Sequence, residues 1–173
     1  MLERIRKKDG DAIRRLYAEY APKLMAICHR YVPERADAED VLQESFIRII
    51  DKIGTYRNRG EWTFEAWMAR IAVNVSIDWL RKRKRLDVVP LQENQENIVD
   101  EEEPSYDGLS QKEIQAAIRS LPDGYRTVLN LYVFEDKSHR EIASLLGISE
   151  RTSASQLHRA RNYLWKLLKA KKK

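Results

Sequence analysis

The stretch Ser138–Leu164, SHREIASLLGISERTSASQLHRARNYL, decides the fold of this chain. Ser138 and Glu141 have the spacing of a capping box, in which a hydroxyl and a carboxylate satisfy each other's free N–H groups at a helix start. Ile142, Ala143 and Leu146 then face one side, with small Ala143 where a second helix crosses closely. Gly147 supplies the backbone freedom of a tight turn. Ile148 plugs that turn into the core, and Ser149 is placed to cap the next helix. On this second helix Ser153, Leu157, Ala160 and Leu164 form one stripe at spacings of three and four, while Arg151, Ser155, His158 and Asn162 lie opposite, flanked by Ala154 and Arg159. The pattern is a helix-turn-helix with a basic second helix. Such a helix reads base edges in the major groove with its N-terminal residues. Arg159 suits a bidentate contact to guanine, Ser155 bonds to either partner of a pair, and the Ala154 methyl suits a thymine methyl. Arg161, Lys166 and Lys169 are placed for phosphates or solvent. The plain alternative is a solvated basic face on an ordinary helical hairpin. Turn, caps and charge together favour DNA.

Working outward, Asp123–Phe134 and Leu109–Ser120 carry helical apolar spacing and complete a small C-terminal domain. Before them, Asp87–Gly108 holds eight acids, no Lys or Arg, and Pro90 and Pro104. It reads as a flexible acidic linker. In the first 86 residues the spacing predicts a helix over Ala12–Tyr20 and a second from Pro22, which suits a first turn, to Tyr31. A third is predicted to start near Asp37 as its cap and stop at Gly54, and a fourth to run from Thr63 to Arg85. The expected fold is all-α, with two small helical domains, 1–86 and 109–173, joined by the linker 87–108. No period-2 strand pattern or internal repeat competes.

Composition narrows the function. The 173 residues are 43% hydrophobic and 34% charged with a net charge of +5, a lean toward polyanions. The positive charge lies entirely outside the acidic linker. Cys28 is the lone cysteine, so no internal disulfide or Cys-rich metal site is expected. His29, His139 and His158 are scattered, and there is no P-loop or nucleophile motif. We therefore expect no catalytic residue, no cofactor and no metal. The N-terminus lacks the apolar region of a signal peptide, no run reaches the ~18 apolar residues of a membrane helix, and a reducing, cytoplasmic setting fits.

Three features of the first domain ask for more than packing. Asp40, Gln43 and Glu44 share one helix face, which suits a basic partner helix or simply solvent. Tyr56, Arg57, Arg59, Trp62, Phe64 and Trp67 group aromatics with arginines, as unstacked bases require, although Phe64 and Trp67 also have core spacing. The predicted fourth helix carries Asn74 and ends in the cationic run Arg81–Arg85, where positive charge is also favoured by the helix dipole.

The order DAEDVLQESF (37–46), RIAVNVSIDWLRKRKR (70–85), acidic linker, then LPDGYRTVLNLYVFEDKSHREIASLLGISERTSASQLHRAR (121–161) resembles the extracytoplasmic-function sigma factors of bacteria, of the sigma-70 family. The resemblance covers about residues 9–168. It implies that Asp40, Gln43 and Glu44 bind the β′ clamp helices of core RNA polymerase, with the β flap as a further polymerase contact. It implies that Arg57, Trp62, Phe64, Asn74 and Arg81 serve opening of the −10 element and capture of a flipped base, and that Arg151, Ala154, Ser155, His158 and Arg159 read the −35 element. Promoter DNA and an anti-sigma protein, which can hold such factors at the membrane, are the other implied partners, and the linker is expected near the polymerase cleft. Relatives often carry a TVKSRL-like run where this chain has Thr152–Leu157. Ser153 replaces a β-branched apolar residue, and Ala154 and Gln156 replace basic ones, which is expected to make the reading end less cationic. A stand-alone helix-turn-helix regulator is the main alternative; it leaves the acidic face and the Asn74–Arg85 cluster without a task. An enzyme lacks any motif, and a pure interaction module leaves the recognition helix unexplained.

Overall fold

The computed structural model describes residues 1–57, 63–83 and 108–171. Trp62, Arg59 and the predicted acidic linker, apart from Gly108, lie outside the described residues. The chain divides after Arg83 into two compact units. The regular elements among the described residues are all helical, as expected.

The first unit contains α1 (Leu2–Arg6), α2 (Gly10–Tyr31), α3 (Arg35–Lys52), a 3₁₀ turn (Ile53–Thr55) and α4 (Phe64–Lys82). Its helix count matches the expectation, but the helices differ. The two predicted around Pro22 are one continuous α2, with Pro22 inside it. Proline in a helix interior costs about 3 kcal/mol. Here Pro22 is exposed, so water can reach the carbonyl left without its amide. Beyond it Leu24, Cys28 and Tyr31 continue the buried line of Ala12 and Leu16. Burying each large side chain contributes about 1.5–3 kcal/mol, which outweighs the break.

Asp37 is not the cap of α3. The cap lies three residues earlier, at Glu34, whose side chain makes no capping bond. Asp37 lies in the first turn, where negative charge suits the dipole, and its Oδ1 accepts from Arg83 Nη1 at 3.4 Å. Asp9 and Thr63 do cap, accepting N–H bonds at the starts of α2 and α4. Helices α2, α3 and α4 pack pairwise around Leu16, Leu24, Val41, Ile49, Met68 and Leu80. Each contributes one small polar residue to the core: Cys28, Ser45 and Ser76. The serine hydroxyls donate back to the carbonyls of Val41 at 2.7 Å and Ala72 at 2.8 Å. Burial, partly opposed by the neighbouring Ser76 and Ser45 hydroxyls, pushes the Cys28 thiol pKa up to about 11.

The second unit contains α5 (Gln111–Arg119), α6 (Asp123–Val133), α7 (His139–Leu146) and α8 (Glu150–Lys171). The other three helices pack on α8. Leu131, Ile142, Leu157, Ala160, Leu164 and Leu168 fill its core. Both α5 and α7 start with complete capping boxes, Ser110/Glu113 and Ser138/Glu141. Arg126 is 98% buried by residue because its guanidinium has a structural task. It donates to the Leu121 carbonyl at 2.6 Å and the Arg119 carbonyl at 3.3 Å, and it pairs with Asp123. It thereby satisfies carbonyls at the end of α5, where a cation is favoured.

Candidate nucleic-acid interface

The turn between α7 and α8 is built as its sequence requires. Gly147 adopts φ 69°, ψ 36°, a left-handed conformation in which a side chain is strained. The N–H groups of Gly147 and Ile148 both return to the Ala143 carbonyl. Ser149 Oγ accepts from Thr152 N–H at 3.0 Å and so caps α8. Ser153, Leu157, Ala160 and Leu164 are buried, while Arg151, Ala154 and His158 are exposed and Ser155 and Arg159 partly exposed. The five predicted −35 residues are thus brought to one outward side of α8.

Two of them have defined hydrogen-bond roles. Ser155 Oγ donates to the Arg151 carbonyl at 3.0 Å. Its proton is committed, so toward any outside partner it is an acceptor, and an amino group such as that of cytosine or adenine would suit it. His158 Nε2 lies 3.1 Å from Asn162 Nδ2. With the amide donating, Nε2 is the acceptor and the imidazole proton is on Nδ1. Gln156 corrects the sequence reading. It is buried and is not among the outward residues of α8.

In the first unit Asp40, Gln43 and Glu44 are exposed on α3, and exposed Ile47 extends their face by one turn. Glu44 is already engaged: Arg48 Nε donates to it at 2.8 Å. Arg48 also donates to Asp78 of α4 at 2.9 Å, and Asp78 pairs with Arg81 at 3.2 Å. A chain of alternating charge therefore runs from the α3 acidic face to the α4 cationic end. Sequence reading missed it because Arg48 and Asp78 are 30 residues apart. On α4, Arg70, Asn74 and Arg81 are exposed at spacings that keep them on one side.

The aromatics divide differently from the expectation. Tyr56 is buried. The Phe64 ring meets Tyr20 and Tyr56 edge-on at 6.0 and 5.1 Å and stacks on Trp67 at 5.7 Å. This cluster ties the start of α4 to α2, and Phe64 is partly exposed within it. The Lys23–Glu65 ion pair at 2.8 Å joins the same two helices. Arg57 Nη1 donates to the carbonyls of Gly54 and Tyr56. Among the described residues no His, Cys, Asp and Glu cluster suits a metal, and no helix is long and apolar enough to cross a membrane.

The two units coincide with two family matches: Sigma-70 region 2 over residues 16–86 and Sigma-70, region 4 over residues 111–164. The ECF RNA polymerase sigma factor SigW of Bacillus subtilis is 32% identical over 182 residues, covering 97% of this chain and 95% of that protein. The chain belongs to the extracytoplasmic-function sigma factors. It is an alternative sigma factor that directs RNA polymerase to promoters. The sigma factor SigE of Mycolicibacterium smegmatis is also 32% identical, over 153 residues; the match covers 86% of this chain and 58% of SigE. The solved structure of the sigma factor RpoE with the anti-sigma factor NepR from Bartonella quintana shares the fold, with a TM-score of 0.53 and 24% identity over 90% of this sigma factor and 96% of that chain.

Proposed function

We propose that residues 1–86 of this sigma factor bind core polymerase and open the −10 element, that residues 109–173 read the −35 duplex, and that residues 87–108 tether the two. In this reading Asp40, Gln43 and Glu44 meet basic residues of the β′ clamp helices. Arg57, Trp62, Phe64, Asn74 and Arg81 serve the melted −10 strand. Asn74 offers donor and acceptor to a flipped base, and Arg81 offers charge to phosphate. Arg151, Ala154, Ser155, His158 and Arg159 read the −35 edges, and the second unit also meets the β flap. The observation that carries the proposal is the orientation of α8: its apolar stripe is turned inward and its predicted reading residues outward. The chain then has no catalysis of its own. The polymerase makes RNA, and this factor offsets the cost of unpairing by base capture and phosphate contacts. The setting is the cytoplasm, with an anti-sigma protein as the inhibitory partner.

The test is reconstitution with core polymerase and mapping of transcripts on genomic DNA. Promoter-specific initiation is expected. Asp40→Lys should abolish polymerase binding while leaving the fold and the −35 duplex affinity of the chain unchanged. Polymerase binding that survives this charge reversal would remove Asp40 from the interface. DNA binding that is equal with and without polymerase, with no initiation, would favour a stand-alone regulator.

A further inference from the structure

The inward stripe of the recognition helix has one polar member. Ser153 is fully buried in line with Leu157, Ala160 and Leu164. A buried hydroxyl without a partner is unfavourable, and Ser153 has one from another helix: its Oγ lies 2.9 Å from His139 Nδ1. His139 is the first residue of α7. Its ring stacks on Tyr132 of α6, with centroids 5.0 Å apart and 23° between planes. The Arg161 guanidinium lies 5.6 Å from the same Tyr132 ring. Ser153 and Arg161 are both on α8, eight residues and so about 12 Å apart along its axis. The stacked pair from α6 and α7 therefore holds α8 at two points.

The two kinds of contact constrain α8 differently. An apolar side chain at position 153 would pack without a preferred direction. A hydrogen bond is directional and weakens steeply when bent. A rotation of α8 by some 20° would move its outer side chains by roughly 2 Å, given a helix radius with side chains of about 5–6 Å. That shift is enough to break a hydrogen bond to a base edge. Gly147, in the turn that leads into α8, adds no side chain of its own to resist such a rotation.

We propose that His139 is a positioning residue that determines −35 specificity: by holding Ser153 it fixes the rotation of α8 and hence the presentation of Ala154, Ser155 and His158 to the bases. This rests on the assignment of α8 to the −35 element. His139 is given no DNA contact of its own.

The experiment uses the full chain with core polymerase, transcribing template libraries randomised at the −35 or at the −10 element. Three variants separate the possibilities. Ser153→Val keeps an inward side chain without the hydrogen bond. His139→Phe keeps a ring to stack on Tyr132 and loses Nδ1. His139→Asn offers an amide at the reach of Nδ1. Ser153→Val and His139→Phe should each reduce discrimination between the preferred −35 sequence and its single-base changes by about fivefold, the scale of one good base contact. The double variant should be no worse than either. His139→Asn should retain most of the discrimination. Preferences at −10 should change little; the melting temperature, followed by circular dichroism, should stay near that of the wild type in Ser153→Val and fall in His139→Phe, which leaves the Ser153 hydroxyl buried without its partner. Should His139→Phe fail to fold, Ser153→Val alone decides. Full discrimination in Ser153→Val, or an equal loss of transcription on every template, overturns the proposal. A wild-type factor that initiates yet shows no −35 preference overturns the assignment of α8 itself, and this inference with it.

Discussion

Single residues in this protein are constrained for reasons that separate cleanly. At Gly147 the constraint is the backbone alone: an added Cβ would meet nothing within 4 Å, but φ is +69°. Gly147→Ala should therefore destabilise the second unit by about 1–2 kcal/mol, the strain of a left-handed residue, and thermal melting of the full chain would measure it. Gly147→Asn should lose less, because asparagine tolerates this region better. Ser155 is constrained by chemistry instead. Its proton is held by the Arg151 carbonyl, so only its lone pairs are offered outward. Ser155→Ala should relax base preference at one −35 position by about 1 kcal/mol, read as initiation rates on a −35 library. Loss spread evenly over all positions would contradict a base contact.

The elements differ in how they begin, and this decides their response to acid. Helices α5 and α7 begin on reciprocal serine–glutamate pairs. The Glu141 carboxyl is held below its ordinary pKa, first by the Ser138 backbone N–H and then by the Ser138 hydroxyl. A carboxyl with a depressed folded pKa stabilises fully above its unfolded pKa, and that contribution is lost as pH falls through the folded value. Glu141→Gln should accordingly be less stable than the wild type near neutrality. The two melting curves should converge as pH drops below the carboxylate range. A gap that persists in acid would show that geometry, not charge, holds the cap. The boundaries of α4 to α8 were legible within two or three residues because caps, Gly147 and apolar spacing all agreed. The break at Pro22 misled because local propensity lost to a buried stripe that continues through it. Asp37 misled because the acid that looked like a cap is paired with Arg83, 46 residues away. Arg126, Gln156 and Tyr56 were illegible for one reason: residue type argues for exposure, and only the packed neighbours supply their partners or cover. The outward placement of the proposed −35 set, by contrast, follows from helix phase alone.

For the molecule as a whole, the electrostatics of the surface proposed to face polymerase are uneven. Glu44 shares Arg48 with Asp78, whereas no ion pair involves Asp40 among the described residues. Neutralising Glu44 should therefore weaken polymerase binding less than neutralising Asp40. Titrations of Glu44→Gln and Asp40→Asn against core polymerase should differ by several-fold, and both losses should shrink as salt screens the surface. The reverse order would mean that Arg48 releases Glu44 on binding. The cationic residues at the other end of the charge chain should leave their own mark. Each phosphate contact removed from the holoenzyme, as by Arg81→Ala, should reduce the salt slope of promoter binding by about one.

The thiol at the meeting point of α2, α3 and α4 makes the first unit report on itself. Cys28 is the chain's single cysteine, fully buried, with its pKa raised to about 11. A thiol reagent at neutral pH can reach it only when those three helices part. Labelling kinetics thus form a clock for the opening of one half of the protein, blind to events in the half that carries α8. Core polymerase should slow that clock, −35 duplex alone should not, and a burst of labelling in the native protein would mean that the three-helix core breathes far more than its packing implies.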